Sequence, residues 1–110
     1  MITFKQFLDI DIRVGKIVSA KEFIEARKPA YILKIDFGGE VGIKKSSAQI
    51  TENYNLQDLV GKLILAVVNF PEKQIGPIRS EVLVLGVSDS FGNVVLVGPE
   101  KNVPLNSKLH

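Results

Sequence analysis

Residues 62–87 read Lys62-Leu63-Ile64-Leu65-Ala66-Val67-Val68, then Asn69-Phe70-Pro71-Glu72-Lys73-Gln74-Ile75-Gly76-Pro77-Ile78-Arg79-Ser80-Glu81, then Val82-Leu83-Val84-Leu85-Gly86-Val87. The two apolar runs have strand length and no polar alternation. That pattern predicts strands covered on both faces, in the middle of a domain. The segment between them carries two prolines, a glycine and charges of both signs, so it continues neither strand. A connection this long, held at both ends by buried strands, is expected to be functional.

Working outward, Leu56, Leu59 and Val60 share one helical face just upstream, with Asn55 placed to cap the start and Gly61 the end. Upstream again, Tyr31, Leu33, Ile35 and Phe37 alternate with Ile32, Lys34 and Asp36 as a strand. Gly38-Gly39-Glu40 makes a tight turn, and Val41 and Ile43 open a weaker strand whose Lys44 and Lys45 suit a charged, protected edge. Ile10, Ile12 and Val14 alternate with Asp9, Asp11 and Arg13. The phase breaks at Gly15, which predicts a bulge or bend there in one long strand reaching Phe23. At the start, Thr3 and Gln6 fit a capping box, and Phe4, Phe7 and Leu8 form the apolar side of a short helix. Downstream, Ser88–Asn93 reads as a hairpin loop before Val94–Val97.

The expectation is an all-β domain of five or six strands, with a short N-terminal helix and a second short helix between strands 3 and 4. That order matches the five-stranded Greek-key barrel, the OB-fold, and a small open sandwich is the competing architecture. The 110 residues form one expected domain, with a helix at 1–8 and an extension at 99–110.

Composition narrows the chemistry. The chain is 45% hydrophobic and 24% charged, as in globular proteins. It has no cysteine, so disulfides and thiolate metal sites are excluded. No early run resembles a signal peptide and no run is long enough to span a bilayer, so the expected location is cytoplasmic, without membrane insertion. A net charge of +2, from 14 basic and 12 acidic residues, gives no global basic excess. Local basic clusters are Arg27-Lys28, Lys44-Lys45, and Lys73 with Arg79. The lone histidine, His110, lies at the chain end. No nucleophile elbow, phosphate loop or dinucleotide fingerprint occurs. Asp9 and Asp11 share a strand face whose ordinary role is solvated. The expectation is a non-enzyme with no catalytic residue, metal or cofactor. Asn69, Lys73, Arg79, Ser80 and Glu81 supply directional donors and acceptors at the expected barrel mouth, where OB-folds bind polymers. With few aromatic residues, recognition of a folded RNA backbone fits better than base-by-base stacking.

Asp11-Ile12-Arg13-Val14-Gly15-Lys16-Ile17-Val18 resembles the opening strand of the tRNA-binding domain family. Leu59-Val60-Gly61-Lys62, Val67-Val68-Asn69-Phe70 and Gly76-Pro77-Ile78-Arg79-Ser80-Glu81 match its later blocks in order. The chain departs from the family in Val82-Leu83, where Gly-Met is usual. It also departs at Arg27–Tyr31 and at Gly42–Ile50, and these variants resemble the CsaA subgroup, small homodimeric proteins described as export-related chaperones. That likeness implies an OB-fold homodimer built through the terminal extensions. It implies as partners unfolded preproteins or peptides, the secretion machinery, and tRNA. Carried over residue by residue, tRNA contacts fall on Asn69, Lys73, Arg79, Ser80, Glu81, Arg13 and Lys16, with Glu81 orienting Arg79. For the chaperone reading, the candidate peptide-binding residues are Phe70, Ile75, Ile78, Phe23 and Tyr31.

Overall fold

A computed structural model describes all of residues 1–110. Its elements are α1 (Phe4–Leu8), β1 (Ile12–Glu22), β2 (Tyr31–Asp36), β3 (Ile43–Ala48), α2 (Leu56–Leu59), β4 (Leu63–Val67), β5 (Lys73–Ile75), β6 (Ile78–Ser80), β7 (Leu83–Val84), β8 (Gly86–Ser88) and β9 (Val94–Leu96). Five strands form one antiparallel sheet in the order β3-β2-β1-β4-β7. It curls into a nearly closed barrel of the expected OB type, with α2 between β3 and β4 as the sequence predicts.

The long β1 makes closure possible. Its first half pairs with β4, from Ile12 opposite Val67 to Lys16 opposite Leu63. Its second half pairs with β2, from Lys16 opposite Asp36 to Glu22 opposite Tyr31. The expected irregularity is present, but the register shifts between Ile17 and Ser19, so Val18 is the extra residue and not Gly15. Gly15 answers a different need. A Cβ there would stand 2.5 Å from Ile35 Cγ2 and 2.7 Å from the Phe37 ring, so the barrel wall closes only over a bare backbone. The C-terminal tail fills the edge of β1 that β2 leaves free. The Val14 N–H donates to the Ser107 carbonyl, and the N–H groups of Asn106 and Leu109 donate to the carbonyls of Val14 and Ile12, each at 2.9 Å.

Ile17, Leu33, Ile35, Phe37, Leu59 and Ile64 fill the barrel and are fully buried. Inward residues of β2 thus alternate with Ile32 and Lys34 on the outer face, as the sequence pattern requires. Outside the barrel, Phe23, Ala30 and Ile32 form a second cluster.

Several expectations are corrected. The run Val82–Val87 is not one strand covered on both faces. It breaks at Leu85 into β7 and β8, and Leu83 and Val87 are exposed. β4 likewise buries Ile64, Ala66 and Val67 while Leu63 and Leu65 are only half-buried. The α1 capping box forms, with the Gln6 N–H donating to Thr3 Oγ1 and the Thr3 N–H to Gln6 Oε1. Asn55, by contrast, gives α2 no side-chain cap, and Val60 is exposed while Leu59 is buried. The apolar side of α1 rests on little of this chain: Phe4 and Leu8 are exposed, and Phe7 is half-buried.

Candidate functional site

The 69–81 segment is not an irregular loop. It folds into a hairpin in which Lys73, Gln74 and Ile75 pair with Ser80, Arg79 and Ile78. Gly76 sits at the first central position of the turn with φ +55°, which suits a type II′ turn, and Pro77 follows without needing an N–H. Pattern reading missed these strands because three-residue strands flanked by prolines carry no periodic signal. The hairpin docks by its apolar face: Ile75 and Ile78 pack on the cluster of Phe23, Ala30 and Ile32. Phe23 and Tyr31 are buried, and the Tyr31 hydroxyl donates to the Tyr54 carbonyl at 2.8 Å. Both line a small cavity of about 160 Å³, and Ile75 and Ile78 are half used by this packing. Of the five apolar candidates, Phe70 stays substantially open, at 49% exposure.

The polar candidates divide in the same way. Asn69 is a clamp: its Oδ1 accepts from the Asp11 N–H at 3.0 Å and its Nδ2 donates to the Asp9 carbonyl at 2.8 Å. Arg13 is held by the Asp11 carboxylate through Nε and Nη2, and its Nη1 donates to the Asn106 carbonyl. The hydrogen bond that Arg13 donates to Asp11 raises the Arg13 pKa above its usual value, while burial acts the other way and the Asp11 charge adds to the rise. Asp11, read as part of a solvated acidic pair, is thus the partner of Arg13. Lys16, Lys73 and Arg79 are exposed on the surface. Arg79 reaches Glu72 at 3.4 Å, an open pair of a kind that contributes about 0–1 kcal/mol.

Glu81 does not orient Arg79. Its Oε1 accepts from the Lys45 N–H at 2.9 Å, its own N–H donates to the Lys45 carbonyl at 2.8 Å, and Lys44 Nζ lies 3.9 Å from Oε2. Ser80 Oγ accepts from the Ser47 N–H at 3.1 Å, and the buried Ser46 hydroxyl donates to the Val82 carbonyl at 3.1 Å. The edge of β3 is therefore closed by residues 80–82, not guarded by charge alone. Ser80 and Glu81 act as seam residues of the barrel.

Beside that seam lies a groove of about 720 Å³. One wall is Ser47–Ile50 leaving β3, the other is Val82–Val84, and Phe70, Pro71 and Lys73 stand at the hairpin end. Val94 and Leu96 complete an apolar floor, with Glu72, Lys73, Ser80 and Glu81 on the rim. The sequence reading named the hairpin end but missed Leu83, 49% exposed, because an unbroken apolar run gives no sign of which residues face outward. The arrangement offers apolar contact area edged by hydrogen-bonding groups. No group of three or more His, Cys, Asp or Glu side chains is placed to hold a metal ion.

Comparison with known proteins agrees with this geometry. The model of the tRNA binding domain family matches residues 12–108. Methionine–tRNA ligases of Thermococcus onnurineus and Pyrococcus horikoshii are 32% and 33% identical over 108 residues. That match covers 98% of this chain and 14% of each ligase, so the chain spans a small part of those relatives. Among solved structures, the chaperone CsaA of Bacillus anthracis is 51% identical with a TM-score of 0.92, covering 100% of this chain and 99% of that one. The CsaA chaperone protein of Picrophilus torridus is 53% identical, also at 0.92, with both chains covered in full. With the opening β1 block, the Gly76–Glu81 block and the barrel all in place, the chain belongs to the tRNA-binding domain family as a CsaA-type member.

Proposed function

We propose that this chain is a non-enzymatic, homodimeric chaperone of CsaA type that binds unfolded or export-destined polypeptides in the cytoplasm. The groove beside the barrel seam carries this reading: it is open, floored by apolar side chains and rimmed by polar ones, as a weakly specific peptide site must be. Full-length likeness to two proteins named as CsaA chaperones supports it. The exposed Phe4 and Leu8 of α1 are the apolar surface we assign to the dimer contact. The C-terminal extension shares that contact through residues outside the 106–109 pairing to β1. A dimer doubles the groove and gains avidity for a long client.

A second reading, structure-specific tRNA binding, is favoured by the family match and by the exposed cations Lys73 and Arg79 on the β5–β6 hairpin. The deciding experiment titrates the protein with bulk tRNA and with a denatured preprotein, each at low and high salt. The chaperone reading expects preprotein binding that survives salt. Binding confined to tRNA and lost steeply with salt selects the second reading instead.

A further inference from the structure

The groove is lined in part by residues whose main-chain groups are unpaired. Gln49, Ile50, Phe70, Pro71 and Glu72 line it, and no main-chain N–H or C=O of these five residues has a hydrogen-bond partner within the chain. This contrasts with Lys45 and Ser47, whose main-chain groups bond across the seam to Glu81 and Ser80. The seam is thus fastened at one end and unfastened where the groove begins. β3 ends at Ala48, and since alternate residues of a strand face each edge, Gln49 follows Lys45 and Ser47 as the next residue whose main-chain groups face the seam side.

We infer that the groove takes its ligand as an added strand. An extended segment continues from the β3 edge at Gln49, bonding through its main chain and setting every second side chain on the apolar floor. This rests on the peptide-binding reading above and names the form in which the peptide binds. Backbone bonding is the same for every sequence, so affinity comes from a group all unfolded chains possess, while alternate side chains set preference. Folded proteins are excluded because their main-chain groups are already paired.

Charge fixes one feature of the occupant. On the rim, Glu72 is matched by Arg79, and Glu81 by Lys44 and the Lys45 N–H. Lys73 lines the groove and has no acidic partner. The preferred segment therefore carries apolar residues at alternate positions and an acidic residue at the Lys73 end.

The test uses the full-length protein and a synthetic peptide of about six to ten residues. Leucine occupies alternate positions, and one terminal residue is aspartate. Two further versions are N-methylated at all odd or all even positions. In a strand added along one edge, alternate N–H groups face that edge. One methylated version should therefore bind about tenfold weaker or worse, as for a lost main-chain hydrogen bond, while the other binds like the parent. Equal affinity of all three peptides, or an equal loss in both methylated forms, overturns strand addition and leaves the groove as a side-chain site. Failure of the parent peptide to bind overturns the groove reading itself. Lys73→Glu should weaken the aspartate peptide and strengthen its lysine counterpart, and indifference to both changes overturns the charge assignment.

Discussion

The Glu81 carboxylate accepts from the Lys45 N–H at 2.9 Å while the Glu81 N–H donates to the Lys45 carbonyl at 2.8 Å, so one residue fastens both main-chain groups of another across the barrel seam. A charge-assisted bond to a backbone N–H is stronger than a neutral one, and removing it unfastens the Lys45 N–H at the barrel seam. Glu81→Ala should cost about 1–3 kcal/mol of stability. Glu81→Gln, which keeps an acceptor but loses the charge, should cost less. Urea unfolding of the three proteins checks both statements. Equal stability would show that the backbone bond alone holds the seam.

Leu83 and Ile75 both line the groove, yet they should respond differently to the same substitution. Leu83 is 49% exposed at the groove wall, whereas Ile75 packs on the Phe23 cluster that anchors the hairpin. Leu83→Asp should weaken binding of a denatured preprotein about tenfold, the loss expected from an apolar contact worth over 1 kcal/mol, with unfolding little changed. Ile75→Asp puts a charge into an apolar contact and should destabilise the protein, by about 1–3 kcal/mol. Preprotein titration alongside urea unfolding separates the two. Unaltered binding by folded Leu83→Asp would move the site away from this groove.

Gly15 marks where the wall has no room. Ile35 Cγ2 and the Phe37 ring occupy the volume a methyl would need, and both side chains are fully buried. Gly15→Ala should cost about 1–3 kcal/mol by overpacking. Phe37→Leu introduced alongside should recover part of that loss, because part of the clash is with a ring that leucine lacks, the rest being with Ile35 Cγ2. Thermal unfolding of the single and double variants measures the coupling. Simple additivity would place the clash on Ile35 Cγ2 instead of the ring.

What could be read from residues alone follows from periodicity. β1 and β2 alternate over long spans, so their existence and the barrel they build were legible. Gly15 was legible as a special position, but a broken phase looks the same for a bulge as for a close approach. Only the partner strand shows that Val18 is the extra residue. The hairpin β5–β6 was hidden because its pairing depends on tertiary docking against Phe23, not on its own pattern. Polar candidates were found by residue type, which cannot reveal prior commitments. Asn69, Arg13 and Glu81 spend their donors and acceptors inside the fold. Lys73 alone is both a groove residue and an uncommitted cation.

Asn69 gives a way to separate structural from ligand-contact roles. Its amide joins the end of β4 to Asp9 and Asp11, on the segment linking α1 to β1. Asn69→Ala removes both bonds and should destabilise by about 1–2 kcal/mol. Amide hydrogen exchange should rise at Asp11, whose N–H loses its acceptor. A loss of tRNA binding with stability and exchange unchanged would instead make Asn69 a direct contact.

Asp89 predicts how stability changes with acid. Its carboxylate accepts from Asn53 Nδ2 at 3.1 Å and from the N–H groups of Asn93 and Phe91 at 2.9 Å, which ties the β8–β9 loop to residue 53. The Asn53 amide first, then the Asn93 N–H, hold the Asp89 pKa below its ordinary value. A depressed folded-state pKa means that the ionised form is favoured in the native protein. The stabilisation is fully present above the unfolded value, near ~3.9, and is lost as pH falls through the lower folded value. Asp89→Asn should therefore be less stable than the parent at neutral pH, with the gap narrowing as the solution is acidified below about pH 4. Urea unfolding of both proteins across that range checks the sign. A gap that stays constant with pH would show that the loop is held by the geometry of the side chain and not by its charge.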